Sequence, residues 1–333
     1  MKHKLLLKLV VLGAMMAWPC IASEAQEAVS APPRVIPLGG MDFKLGGFVQ
    51  AWYQSKEHAP SDFLIKNLRL SLIGEPSPLT SFHVMPVFAS GSGVNLLNAF
   101  VEVKPVDHLS FRMGQFVYPF GQNRMYGPQQ LELANYQLNG KVFPGIVSDL
   151  AWDIGAQTAV TYPYIDARIA VINGAGPNVF RDTDTIKDIA ARVEMYPLGD
   201  KQVIAGVSYY NGTSHDNATV KPLFQDTRTW WGGHAKLVLR DKKAVLHGEV
   251  ISRSDSNRLW VTQGSYKFRY WKDWQLVAAL ERFDPNSGHH TRRVTGGVNF
   301  RLDTKTRLTM NVFNDDDGKT NVNNFVAQLQ VEF

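Results

Sequence analysis

The sequence predicts an all-β fold: a transmembrane antiparallel β-barrel of about sixteen strands, with a constriction loop folded into its interior. Three observations predict it. After residue 25, no apolar run approaches the ~18 residues that a membrane helix needs. Hydrophobic and polar residues instead alternate with period two along segments of roughly ten residues. The connections between these segments alternate between short and long.

Composition alone would not reveal this fold. The 333 residues are 44% hydrophobic and 20% charged, with a formal net charge of +5, and the mean hydropathy is −0.17. These values exclude a disordered polymer and a bundle of membrane helices, but a soluble globular protein would share them. A barrel with one face in lipid and one in water has the same average.

The N-terminus has the layout of a secretory signal peptide over residues 1–25. Three lysines precede an apolar stretch, and small residues follow it at Ala22 and Ala25, either of which is a plausible cleavage point. Cys20 is the only cysteine and leaves with this segment. A lipoprotein signal at Cys20 is an alternative, although the residues before it fit that signal poorly.

The strands follow from the alternation, with residues 26–40 as a short N-terminal linker and 41–333 as the barrel. At the C-terminus, for example, Leu329, Val331 and Phe333 share one face and polar residues the other. The even number of strands returns both termini to one side of the membrane. The sixteen predicted strands lie near 42–55, 62–74, 80–90, 95–104, 109–118, 152–162, 164–173, 187–196, 202–210, 228–240, 244–253, 259–271, 274–283, 292–302, 305–313 and 319–333.

A closed barrel is favoured over a soluble sandwich, which is the alternative for alternating strands. Lipid offers no hydrogen-bond partner to the backbone, so a membrane sheet must close on itself. Short turns are expected on the periplasmic side and longer loops outside. Aromatic pairs at strand ends, such as Trp52-Tyr53 and Trp230-Trp231, are typical of the girdles at the two membrane interfaces.

Four motifs follow one another between residues 62 and 157. They are NLRLSLIGE at 67–75, NAFVEVKP at 98–105, LSFRMGQFVYPFG at 109–121 and WDIGAQ at 152–157. Their order resembles the family of phosphate-selective porins of the O and P type. In that family, the Arg-x-Gly-Gln-Phe strand leads into a loop that folds inward and narrows the channel. The resemblance implies a sixteen-stranded, trimeric, anion-preferring channel. Val117 stands where family members often carry a basic residue.

The pleat predicts which charged residues line the channel, because alternate side chains point inward. An excess of inward basic residues would raise the local anion concentration. Arginines that pair with acids on neighbouring strands would cancel it, which is the alternative. The parity of Glu281 and Arg282 is ambiguous. The predicted basic residues are Arg69, Lys104, Arg112, Arg168, Arg192, Lys236, Arg253, Lys267, Arg269, Arg293, Arg301 and Arg307. The predicted acidic residues are Glu102, Asp153, Asp166, Glu194, Glu249 and Glu332.

The connection at 119–150 is the candidate constriction loop. A loop of this length is usually functional or disordered, and this one is rich in amide and hydroxyl side chains. Folded inward, it would place Arg124, Tyr126 and Lys141 near the narrowest point of the channel. An extracellular flap is the alternative.

Together these features predict an outer-membrane porin that lets small anionic solutes, such as phosphate or other oxyanions, diffuse passively. The expected partners are outer-membrane lipid and lipopolysaccharide, two further copies in a homotrimer, and the barrel-assembly machinery through Phe333. No cofactor, metal site or nucleic-acid partner is predicted. The alternatives are a barrel hydrolase, for which His234 and His247 face inward without an evident serine, and a sheath for an electron-transfer partner.

Overall fold

The computed structural model describes residues 34–38, 41–88, 93–134, 151–182, 186–199, 201–213, 227–239, 243–254, 257–268, 274–285 and 288–333. The predicted signal peptide lies outside these ranges, as do Lys141 and Arg269. No helix in the described ranges is long and apolar enough to cross a membrane.

The described residues form seventeen β-strands and two single-turn 3-10 helices, at Asn123–Met125 and Pro128–Gln130. The strands are β1 (Arg34–Leu38), β2 (Met41–Lys56), β3 (Asp62–Ser77), β4 (Thr80–Val87), β5 (Asn95–Val106), β6 (Leu109–Val117), β7 (Trp152–Tyr162), β8 (Ile165–Ile172), β9 (Asp188–Met195), β10 (Val203–Thr213), β11 (Thr227–Leu239), β12 (Ala244–Arg253), β13 (Arg258–Lys267), β14 (Trp274–Asp284), β15 (Thr291–Arg301), β16 (Thr306–Asp316) and β17 (Asn321–Glu332).

Strands β2 to β17 form a closed antiparallel barrel of sixteen strands. Each strand pairs with the next one in the chain, and β17 returns to pair with β2, where Gln328 lies opposite Trp52. Closure leaves no barrel strand with an unpaired edge along its membrane-spanning length. The predicted fold class is confirmed, and all sixteen predicted strands are present with small differences at their ends.

The short strand β1 lies in the range predicted as a linker. It pairs with Met41–Leu45 of β2, whereas β17 pairs with the later part of β2, from Phe48 onward. The stagger of strands in a barrel leaves the start of one strand beyond the end of its neighbour. Strand β1 covers that edge of β2. Its five residues include Pro37, so it is too short and irregular for the alternation to reveal it.

The two faces of the barrel differ in burial as the alternation predicts. On β17, Gln328 and Gln330 are each 1% exposed, whereas Leu329 and Val331 are 45% and 41% exposed. Exposed apolar side chains recur on the outward face of the other strands, for example Leu276 and Leu280 on β14. An apolar outer surface on a closed barrel belongs in the bacterial outer membrane.

The interior is less uniformly polar than the alternation suggests. A buried apolar cluster lies inside the barrel beside β6 to β13. It joins inward side chains of the wall, such as Tyr210 and Trp230, to Tyr118 and Phe120 in the connection after β6. The rings of Tyr210 and Trp230 meet edge to face, with centroids 5.3 Å apart. This cluster fills the interior next to that part of the wall.

Candidate functional site

The connection after β6 turns into the barrel. We call residues 118–134 the inward segment; the rest of the predicted constriction loop, 135–150, lies outside the described residues. Gly121 has φ of 69°, a left-handed conformation that favours glycine. Its backbone N–H donates to Ser208 Oγ on β10 at 3.1 Å, and that of Gln122 donates to Glu249 Oε1 on β12 at 2.7 Å. Both acceptors belong to inward-facing side chains of the wall.

Glu132 attaches the inward segment to three strands. Its carboxylate accepts hydrogen bonds from Gln263 Nε2 and Ser265 Oγ, each at 2.8 Å, and from Gln275 Nε2 at 2.9 Å. Its backbone carbonyl accepts from Asn299 Nδ2 at 2.8 Å. Hydrogen bonds to a carboxylate are about twice as strong as neutral ones, so this residue holds the segment against β13, β14 and β15.

Amide side chains also hold the segment at the closure seam, where β17 pairs with β2. Gln50 Nε2 on β2 donates to the carbonyl of Pro128 at 3.3 Å, and Gln330 Nε2 on β17 donates to that of Gln129 at 3.2 Å. The same Gln50 Nε2 donates to Gln330 Oε1 at 2.7 Å. The segment therefore touches the wall from β10 round to β2.

Apolar contacts support these bonds. Leu133 packs against Val277 and Ala279 of β14, and Ala134 packs with Trp52 and Val326. The inward fold of the loop's first half is thus fixed by both polar and apolar contacts with the inner wall.

The predicted loop residues have different surroundings. Arg124 is 4% exposed, so its guanidinium lies in the packed part of the segment and does not face open water. The ring of Tyr126 lies 5.4 Å from Lys236 Nζ on β11, which joins a predicted lining residue to a predicted loop residue. Lys141 lies outside the described residues.

Eleven of the twelve predicted basic residues are described, and the alternating burial of their strands places ten of them on the inward face. Several of them are ion-paired within the wall. Arg112 Nη2 lies 2.9 Å from Glu102 Oε1, and Arg168 Nε lies 2.6 Å from Asp166 Oδ1. Arg192 pairs with Glu194 on the same strand. Pairing of this kind cancels charge within the wall, so these three arginines add little to an electrostatic preference. The ten are Arg69, Arg112, Arg168, Arg192, Lys236, Arg253, Lys267, Arg293, Arg301 and Arg307, whereas Lys104 near the end of β5 is exposed.

The balance of inward charge is also more even than the parity count suggests. Glu281, whose parity was ambiguous, points inward and is 3% exposed. Asp188 at the start of β9 is fully buried on the same inner face, and Asp315 pairs inside the barrel with Arg293, with Nε and Oδ1 2.6 Å apart. With Glu132, these acids make the inward acidic groups nearly as numerous as the basic ones in the ranges that the structure describes.

Three further inward cations lie in two places. Among the described residues, no ion pair joins Lys236, Arg301 or Arg307 to a carboxylate. Arg301 and Arg307 flank the short turn between β15 and β16. In that turn, hydrogen bonds from the backbone N–H groups of Lys305 and Thr306 hold the pKa of Asp303 below its usual value.

The geometry does not favour the hydrolase alternative. The serine and histidine that meet among the described side chains are Ser71 and His83, whose Oγ and Nε2 lie 2.9 Å apart. Trp152 Nε1, which can only donate, bonds Asn98 Oδ1 at 2.8 Å. The amide nitrogen Nδ2 of Asn98 is then the donor to His83 Nδ1, at 3.1 Å.

The tautomer of His83 follows from this chain of bonds. Because Nδ1 accepts a hydrogen bond, the neutral ring carries its hydrogen on Nε2 and donates to Ser71. A general base must instead accept the proton of the serine. His234, named for the same alternative, uses Nε2 in a 2.8 Å bond to Glu194 Oε1.

Solved structures share this architecture. An anion-selective porin from Comamonas acidovorans superposes with a TM-score of 0.69 and 10% identity, over 88% of this chain and 100% of that one. OprB of Pseudomonas putida at high pH gives 0.68 and 10%, over 88% and 94%. OmpF of Salmonella typhi in complex with daunomycin gives 0.65 and 8%, over 90% and 100%.

These likenesses concern the fold. No protein-family model matches the sequence, and no curated protein matches it. At about one-tenth identity, the neighbours show that the chain has the barrel architecture of outer-membrane porins.

Proposed function

We propose that this protein is a passive outer-membrane channel for small water-soluble solutes. The observation that carries the proposal is the inward segment, which is fastened across the inner wall of a closed sixteen-strand barrel by Glu132, Gln50 and Gln330. A segment held in this way would narrow a water-filled passage, and solute size and charge would then decide what passes.

We further propose a preference for small anions, with phosphate and other oxyanions as the solutes. The preference would come from Lys236, Arg301 and Arg307 and not from the ion-paired arginines. The resemblance of residues 62–157 to phosphate-selective porins of the O and P type supports it, as does the fold shared with an anion-selective porin. The effect should weaken in salt, because charges are screened over ~8 Å at physiological ionic strength.

The proposed setting is a homotrimer in the outer membrane, in contact with lipid and lipopolysaccharide. One of the neighbouring structures, OmpT of Vibrio cholerae, is described as a trimer form. Phe333, which directly follows β17 and is 43% exposed, is the proposed contact for the barrel-assembly machinery.

Reversal potentials in planar bilayers test the proposal. With a potassium chloride gradient across the membrane, we expect a reversal potential of the sign that anion movement gives. Lys236→Gln removes a cation that pairs with no carboxylate in the described part of the chain, and it should move the reversal potential toward cation preference. The double variant Arg168→Gln/Asp166→Asn removes both members of a pair and should leave it unchanged.

Two outcomes would contradict the proposal separately. A clearly cation-selective current in the wild type would refute the anion preference and leave the channel standing. A folded barrel that conducts no ions in any salt would refute the channel itself.

A further inference from the structure

Three exposed arginines lie on the outer face of the barrel. They are Arg258 on β13, Arg282 on β14 and Arg292 on β15, and we call them the arginine patch. Register brings them together: Arg282 lies directly opposite Arg292, and Arg258 lies opposite Asp284, two residues further along β14. They lie at the end of the barrel where β6 passes into the inward segment. Barrels of this kind place that end, with its longer connections, outside the cell.

The arginine patch lies at the edge of the apolar band. Leu280 and Val294 pair one step further from this end and are 53% and 38% exposed. At the other end of the band, the rings of Trp274 and Phe300 meet with centroids 4.8 Å apart. From Arg292 to Phe300 the strand rises by ~27 Å, at ~3.4 Å per residue. With a tilt of ~35–45° this covers ~20 Å of a band that is ~25 Å tall, so the patch lies at headgroup level.

The patch has hydrogen-bonding capacity that the described residues leave unused. Arg282 bonds Asp284 through Nε alone, at 2.7 Å to Oδ1 and 3.0 Å to Oδ2, which leaves its two terminal nitrogens exposed. Asp316 lies opposite Arg292, but no ion pair joins them in the part of the chain that the structure describes. Instead, Asp316 Oδ1 accepts from the backbone N–H of Gly318 at 2.9 Å.

A negative group between Arg282 and Arg292 would stabilise this part of the sheet. Like charges directly opposite each other on neighbouring strands are destabilising. A guanidinium fork binds two oxygens of a phosphate at once, and basic clusters beside the apolar region of a membrane protein bind phosphorylated lipid headgroups. Trp260, opposite Arg282 and 49% exposed, lies at the level where interfacial tryptophans meet headgroups.

We propose that the arginine patch binds a phosphate group of lipopolysaccharide in the outer leaflet, with the acyl chains of that molecule against Leu280 and Val294. The inference rests on the lipopolysaccharide contact of the proposed function and gives that contact a site. It depends neither on conduction nor on ion preference. Arginines that only extend to water are the alternative, and they would not distinguish a phosphorylated lipid from a dephosphorylated one.

Binding of fluorescently labelled lipopolysaccharide to the full chain in detergent tests the site. We expect about tenfold weaker binding to Arg292→Gln than to the wild type, equal to ~1.4 kcal/mol. Lys305→Gln is the matched control, because it also removes one exposed cation, in the short turn at the opposite end of the barrel. It should bind like the wild type. Both variants change exposed side chains, so their unfolding temperatures should equal that of the wild type.

Two further probes identify the group that is recognised. Lipopolysaccharide stripped of its phosphates should bind the wild type and Arg292→Gln equally, because the arginine then has no phosphate to contact. Inorganic phosphate, equimolar with intact lipopolysaccharide, should not displace the lipid, because the free ion makes no contact with the apolar band. Displacement by inorganic phosphate would make the patch a site for the free ion and refute the lipid assignment.

The remaining outcomes separate the patch from the proposed function. Equal binding of intact lipopolysaccharide by the wild type and Arg292→Gln would refute the patch and leave the proposed contact standing. Equal weakening in Lys305→Gln, or the same difference with the dephosphorylated lipid, would also refute the patch. A wild type that binds no lipopolysaccharide would refute the contact together with the patch. The channel itself is judged by conduction alone.

Discussion

Ser265 on β13 donates its hydroxyl hydrogen to Glu132 Oε1 at 2.8 Å, and the same oxygen accepts from Gln275 on the next strand. One carboxylate of the inward segment thus joins two neighbouring strands of the wall. If the barrel conducts as proposed, we expect these bonds to set the width of the passage.

Replacement of Glu132 should widen the channel. Glu132→Ala removes three charge-assisted hydrogen bonds, each contributing ~1.5–3 kcal/mol before non-additivity, so the segment should detach from β13 and β14. We expect a larger and noisier single-channel conductance. Glu75→Ala is the control, because Glu75 pairs with Lys44 at 2.6 Å away from the segment, and its conductance should equal that of the wild type. An unchanged conductance in folded Glu132→Ala would contradict the prediction.

A methyl group at Gly206 should displace a buried histidine. A Cβ at this position would lie 2.4 Å from the ring atoms Cε1 and Nε2 of His234 and 3.0 Å from Glu194 Cγ. Gly206→Ala should therefore break the bond between His234 and Glu194 and destabilise the barrel by about 1–3 kcal/mol. Denaturant unfolding in detergent measures this. Gly233→Ala on β11 is the control, because a Cβ there meets nothing within 4 Å; equal midpoints for the two variants would contradict the prediction.

The last residue packs at the closure seam. The ring of Phe333 lies over Gly47, where a Cβ would meet ring atoms at 2.7 and 2.8 Å, and the two residues exchange backbone hydrogen bonds of 3.0 Å. Gly47→Val should push the ring away and lower the unfolding temperature of the purified barrel.

Phe333→Ala should reduce assembly in cells more than refolding in detergent, because it also removes the proposed contact with the assembly machinery. Equal loss in both settings would mean that Phe333 acts only through local packing.

Ser71 should not react as a nucleophile. The bond from Trp152 to Asn98 and the bond from Asn98 to His83 keep the hydrogen of neutral His83 on Nε2, so Ser71 is an acceptor and is not activated. A fluorophosphonate probe should label the wild type and Ser71→Ala to the same background level, with a serine hydrolase in the same detergent as positive control. Labelling that disappears in Ser71→Ala would revive the hydrolase alternative.

The inward lining was accessible from sequence because the period-two pattern is local. Arg307 and Gln330 are inward for the same reason that Leu329 is outward: the pleat alternates the faces. The sequence predicted that the segment folds inward, but it did not predict which contacts hold the segment in place. Its length and amide content indicate an inward fold, but no local pattern marks Glu132 as the residue that fastens it. Its partners Gln263, Ser265 and Gln275 stand more than 130 residues away.

The sequence by itself determined the barrel, the number of its strands and the face on which most side chains lie, since alternation and turns depend on residues close together in the chain. Only the tertiary structure decided which charged side chains of the inner wall pair and cancel each other. Strand register brings Arg112 to Glu102 and sets Arg301 opposite Arg307, and a bulge such as the shift at Gln50/Ala51 changes register where no local pattern shows it. Net charge on the inner wall depends on these long-range pairings, so counting by parity overestimated the positive excess.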